Sequence, residues 1–167
     1  MASRKTARRP VRSDRASIAD LLSYRLVVVS TLLTRSQLKE FASVSSISLS
    51  EWRTLALVGS FGPLSVKSLS RHAGLDFGQT SRLVSAMSAS GLIEKSRAED
   101  GRSVTLSLTA SGRALRRRLW AVAMRCNEEF LASLSPASRR GLIDALDTLT
   151  KKARAALADG RPRKPTT

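Results

Sequence analysis

The chain has one cysteine, Cys126, and one histidine, His72, in 167 residues. A single cysteine excludes any intramolecular disulfide, which agrees with a reducing compartment. One histidine and one cysteine, far apart in sequence, form neither a zinc ligand set of the usual number nor a nucleophile with its base. No glycine-rich loop follows a strand, so there is no cradle for a nucleotide phosphate. These gaps leave no catalytic residue to name and no metal or cofactor to expect, and they argue against an enzyme.

A membrane-spanning run is also missing. The stretch Leu26 to Leu33 (LVVVSTLL) falls far short of the roughly 20 residues a span needs, and Arg25 and Arg35 bracket it. The basic start, Met1 to Arg15, is not followed at once by an apolar stretch with a small-residue cleavage site. The expectation is a cytoplasmic protein with no membrane partner.

Acidic residues are scarce: 13 Asp and Glu stand against 29 Lys and Arg, for a formal charge of +16. Such an excess points to a polyanion, nucleic acid first. The 42% hydrophobic content is enough for a core, and the length suits one domain or two lobes.

What the chain does have is concentrated between Leu64 and Thr109. Ser65 is placed to cap a short helix with Val66, Leu69 and Ala73 on one face, Leu64 acting as a hydrophobic staple before it. Gly74 supplies the residue able to take a positive φ and end that helix. Asp76 is placed to cap the next, whose inward face carries Thr80, Leu83, Val84 and Met87 and which Gly91 stops. Its outward face is Gly78, Gln79, Ser81, Arg82 and Ser85, short polar side chains with one long cation, which suits a recognition helix reading base edges in a major groove. Ser65 and Lys67 are assigned to backbone phosphates. Beyond Gly91, Leu92 to Lys95 starts a strand, and Val104, Leu106 and Leu108 alternate with Ser103, Thr105 and Ser107. The Asp-Gly pair between them favours a tight hairpin. Arg97 and Arg102 flank its tip, with Asp100 placed to hold Arg102, an arrangement suited to probing a minor groove. The plainer alternative for this segment alone is a solvated surface hairpin.

At these residues the sequence resembles the MarR family of bacterial transcriptional regulators. The resemblance is carried by Leu75-Asp76 through Thr80-Ser81-Arg82, by Gly91-Leu92-Ile93, and by Asp100-Gly101-Arg102 followed by Leu106-Ser107-Leu108-Thr109 and Gly112. It extends less specifically over about residues 18 to 157. Phe77-Gly78 departs from the family, which usually has small polar residues or proline there. The resemblance implies a mainly α fold with a small β-hairpin wing: a winged helix-turn-helix joined to a helical dimerisation region made by the first and last two helices.

The rest of the chain fits that plan. Residues 1 to 15 carry six cations against Asp14 and read as a mobile arm, either for extra phosphate contacts or for solubility. From Ile18 to about Phe41, apolar residues recur at helical spacing so densely that the helix must be covered by its own chain or another. Ser48 and Glu51 form a capping box for a helix through Trp52, Leu55 and Val58. After the wing, Ser111 and Gly112 lead into a long helix with Leu115, Leu119, Val122, Cys126 and Phe130 on one stripe. Arg113, Arg116, Arg117 and Arg118 crowd its first turns, the wrong sign for a helix N-terminus and a hint of a counter-anion. Ser135-Pro136 opens a last helix. The expected division is a disordered basic arm over 1–15, an N-terminal dimerisation helix over 16–47, a winged helix-turn-helix over 48–109, C-terminal dimerisation helices over 110–158 and a basic tail over 159–167.

Terminal helices with no partner in a small winged domain are most economically covered by a homodimer. The expected function is therefore a DNA-binding transcriptional regulator, a ligand-responsive repressor on an inverted-repeat operator in double-stranded DNA. A charge-driven architectural protein without ligand control is the alternative. The resemblance further implies a small anionic aromatic effector, for which Ser23, Tyr24, Trp52 and Arg53 are the candidate contacts; the alternative makes Trp52 core and Arg53 a surface cation. Cys126, in register with Val122 and Phe130, reads as core in preference to a redox sensor.

Overall fold

The computed structural model describes residues 17–97 and 104–158. The basic arm, the C-terminal tail, and the wing-tip residues Asp100 and Arg102 lie outside the described residues.

The chain opens with a 3-10 turn, Ile18–Asp20, capped reciprocally by Ser17 and Asp20. Leu21 then takes an extended conformation with ψ 126°, and helix α1 runs over Leu22–Phe41. The single helix expected from Ile18 is thus broken at Leu21. Local bonds explain the break: Asp20 turns back to the Ser17 amide, and Arg25 Nε donates to the Ala19 carbonyl at 2.6 Å.

Helix α2, Leu49–Phe61, starts from the expected capping box: Ser48 Oγ accepts from the Glu51 amide and the Glu51 carboxylate accepts from the Ser48 amide at 2.8 Å. Strand β1 (Leu64–Ser65), helix α3 (Val66–Ala73), helix α4 (Phe77–Ala89), and strands β2 (Ile93–Arg97) and β3 (Val104–Leu108) follow. Ser65 caps α3, Asp76 caps α4, and Gly74 and Gly91 take positive φ values of 66° and 68° at the two helix ends. The hairpin is one strand larger than expected. Leu64, read only as a staple, pairs with Leu106 and makes a three-stranded antiparallel sheet of order β1-β3-β2. Burial drives the pairing, since both leucines are in the core.

Helix α5 spans Ala110–Ala132, beginning before Ser111 and Gly112 instead of after them. Thr109 is the reason. Its hydroxyl accepts from the Gly112 amide at 3.0 Å and donates to the Gly91 carbonyl at 2.6 Å, capping α5 and tying it to the turn that ends α4. Gly112 is buried against Leu92, where a Cβ would stand 2.1 Å from the carbonyl oxygen. Helix α6, Pro136–Ala158, is capped by Ser135.

One core gathers Phe41, Leu55, Leu69, Val84, Met87, Ile93, Leu106 and Leu119, so residues of α1 through α5 share it. Each such side chain contributes about 1.5 to 3 kcal/mol when fully removed from water. Most of α1 and all of α6 lie outside that core. Ile18, Leu22, Val27, Val29 and Leu32 are each more than half exposed, and α6 buries no residue at all. No described helix is long and apolar enough to cross a membrane.

Candidate nucleic-acid interface

Helix α4 is fixed on one side and free on the other. Thr80, Val84 and Met87 are buried and Leu83 is half-buried, while Gly78, Gln79, Arg82 and Ser85 are exposed and Ser81 is half-exposed. Asp76 Oδ1 accepts the Gln79 amide at 3.0 Å and the Asp76 carbonyl accepts the Thr80 hydroxyl at 2.9 Å, so the first turn is locked from both faces. Phe77, the residue that departs from the family pattern, opens this helix with its side chain 58% exposed.

The wing lies beside α4, and one contact between them was not anticipated. Lys95 Nζ on β2 donates to Ser85 Oγ at 3.1 Å. The signal was present in the alternation: Ile93, Lys95 and Arg97 share one face of β2, and Ile93 is buried in the core below α4. That face therefore emerges from the core as two cations beside α4. Arg97 is exposed at the end of β2. Its pairing with Val104 marks the last described rung before the tip.

At the start of α3, Ser65 is half-buried, and its hydroxyl accepts the Ser68 amide at 3.1 Å as the helix cap, while Lys67 is exposed. Of the four effector candidates, two line a common cleft. Trp52 and Arg53 meet Ala56, Leu57, His72 and Ala73 around a cleft of about 450 Å³. Ser23 and Tyr24 are exposed on the first turn of α1 and do not line it. Trp52 is only 7% exposed, with Phe41 edge-on at 5.0 Å and Trp120 at 6.1 Å, so most of its ring serves the core. His72 stacks on Phe61 at 5.0 Å between ring centres.

Cys126 is 3% exposed on the side of α5 that faces α1. Burial pushes its thiol upward, reinforced by the negative charges of Glu129 and Glu40 and only partly offset by Arg125. That is the reverse of the electropositive setting that activates a cysteine. Among the described residues, no group of three or more His, Cys, Asp or Glu side chains is placed to hold a metal.

The arrangement is a rigid helix presenting polar side chains, flanked by a hairpin with cations along one face. Residues 45–103 match the model of the MarR family. No curated protein sequence matches the chain. Among solved structures, a MarR/EmrR family transcriptional regulator from Acinetobacter sp. ADP1 is similar at 23% identity and a TM-score of 0.76, over 83% of this chain and 99% of its own. BpsR of Bordetella bronchiseptica, whose DNA binding is regulated by 6-hydroxynicotinic acid, is similar at 17% identity and a TM-score of 0.72, over 81% and 97% of the two chains. The transcriptional repressor CouR, solved on a 23-mer DNA duplex, is similar at 22% identity and a TM-score of 0.71, over 81% and 96%.

Proposed function

We propose, starting from the chain's membership of the MarR family, that it is a cytoplasmic, homodimeric repressor without enzymatic activity. It binds an inverted-repeat operator and releases it on binding a small anionic aromatic acid. The observation that carries the DNA-reading part is α4 itself, buried through Thr80, Val84 and Met87 and open through Gly78, Gln79, Arg82 and Ser85. A helix anchored in this way enters a major groove as a unit, with Gln79 and Arg82 able to donate to base edges. Ser81 and Ser85 supply shorter contacts on the same side. The wing, through Arg97, Asp100 and Arg102, is assigned to the adjacent minor groove, and Ser65 and Lys67 to phosphates.

The homodimer reading is supported by the apolar side chains that α1 and α6 leave uncovered, Val27, Leu32 and Ile143 among them, each at least half exposed. The effector reading is supported by the cleft of Trp52 and Arg53, which offers an aromatic edge and a guanidinium. BpsR, whose DNA binding is regulated by 6-hydroxynicotinic acid, an aromatic carboxylic acid, supports the same reading.

The deciding experiment is footprinting of the full-length protein on DNA selected from a random pool, with sedimentation to give the oligomeric state. A two-fold symmetric footprint with half-sites about one helical turn apart, made by a dimer, is the expected result. An asymmetric footprint, a monomer at micromolar concentration, or equal competition by random duplex would overturn it, the last favouring charge-driven packaging.

A further inference from the structure

A second cleft lies between the end of α2, the end of β3 and the first turns of α5. Its volume is about 370 Å³, and Val58, Pro63 and Leu108 form its apolar wall while Arg113, Arg116 and Arg117 supply the charge. It shares no lining residue with the cleft at Trp52 and Arg53. From this geometry we infer that the cleft binds a small organic dianion, a dicarboxylate or a phosphate monoester, with its apolar body against Val58, Pro63 and Leu108.

The charge argument begins with what the three guanidiniums lack. Among the described residues, the ion pairs engage Arg25, Arg125 and Arg139, and no carboxylate pairs with Arg113, Arg116 or Arg117. Their hydrogen bonds go to neutral acceptors instead: Arg113 Nη1 to the Leu108 carbonyl, and Arg116 Nη2 to Ser60 Oγ at 3.1 Å. Glu94, across the sheet, accepts the hydroxyl of Ser107, which lines the cleft. Arg113, Arg116 and Arg117 fall within about one turn of one another, so their like charges repel, and they sit at the end of α5 whose dipole disfavours cations. A ligand with two negative charges removes most of that repulsion, whereas a monoanion leaves two charges opposed.

The site is also built. The Arg116 guanidinium lies 5.0 Å from the centre of the Trp120 ring, its Nε is buried with no partner, and its side chain crosses Gly59. A Cβ at Gly59 would stand 2.3 Å from Arg116 Cδ and Nε, so the absence of a side chain there gives the arginine its path. Arg116 is thus held beside the cleft by Gly59, Ser60 and Trp120, and a guanidinium placed in advance can make a charge-assisted bond to an incoming oxygen.

The test is calorimetric titration and thermal shift of the full-length protein, at fixed ionic strength, with phthalate, phenyl phosphate, benzoate, benzamide and inorganic phosphate. Phthalate and phenyl phosphate should bind about tenfold more tightly than benzoate and raise the melting temperature, and benzamide should do neither. Arg116→Gln and Arg117→Gln should each weaken the dianions about tenfold, and Gly59→Ala should weaken them by displacing Arg116 with no change in charge. Arg53→Ala should leave them unaffected. Equal binding by wild type and Arg116→Gln would overturn the assignment, as would loss through Arg53→Ala. Inorganic phosphate matching phenyl phosphate would remove the organic body. Weaker DNA binding by Arg116→Gln with no dianion present would assign the arginines to DNA phosphate and overturn the proposal. Dianion binding by a wild-type protein that binds no DNA would leave the cleft standing and overturn only the regulator reading.

Discussion

Lys95 of β2 donates to Ser85 of α4 across 3.1 Å, so the wing and this helix are joined by a side chain that itself carries charge. Lys95→Gln should weaken DNA binding several-fold and reduce the slope of log affinity against log salt by about 0.9, the value for one phosphate contact. Salt titration by fluorescence anisotropy checks this. An unchanged slope would leave Lys95 with a purely internal role.

Arg82 stands on the exposed face of α4 with no ion pair among the described residues. Its replacement by alanine should cost about 1 to 3 kcal/mol on the preferred operator and relax preference at one position of each half-site. Binding to a library varied at single positions would show it. A uniform loss over all sequences would instead make Arg82 a phosphate contact.

Two glycines offer a matched pair. At Gly112 a Cβ would meet the Leu92 carbonyl oxygen at 2.1 Å, a backbone atom with no easy escape, whereas at Gly141 in α6 nothing lies within 4 Å. Gly112→Ala should destabilise the fold by at least about 2 kcal/mol, while Gly141→Ala should stabilise it by up to about 1 kcal/mol through helix propensity. Urea denaturation of the two variants separates these opposite signs.

The raised thiol of Cys126 has a signed consequence for pH dependence. Because the folded state holds the proton more tightly than the unfolded chain, its contribution is complete below the ordinary thiol value of about 8.5. It is lost as pH climbs through the higher folded-state value. Stability should therefore fall at alkaline pH, and Cys126→Ala should flatten that decline while costing some packing. Native protein should also react slowly with a thiol reagent; fast reaction at neutral pH would contradict the burial argument.

The parts of the molecule legible in the sequence are those decided within a few residues. Ser48 with Glu51, Ser65, Asp76, Gly74 and Gly91 each set a helix end by local bonds or backbone freedom, and all five appear as read. The inward face of α4 follows from periodicity for the same reason. What escaped depends on residues distant in sequence: Leu64 becomes a strand only because Leu106 is beside it, and Gly59 matters only because Arg116 lies over it. The arginine cluster was visible as an electrostatic cost, but not the apolar wall that turns it into a cleft. Ser23 and Tyr24 are exposed on α1 and do not line the cleft of Trp52 and Arg53, a placement no local pattern encodes.

The two hydrogen bonds made by the Thr109 hydroxyl, to the Gly91 carbonyl and from the Gly112 amide, tie the turn that ends α4 to the start of α5. A tilt of α5 is therefore passed to α4 through Thr109. For a helix the length of α5, about 34 Å, a tilt of only about 5° carries one end through about 3 Å relative to the other. That is close to the rise of one base pair. On the proposed function, a small change in how α5 is seated would be enough to shift α4 against a DNA groove, with no rearrangement inside the winged domain.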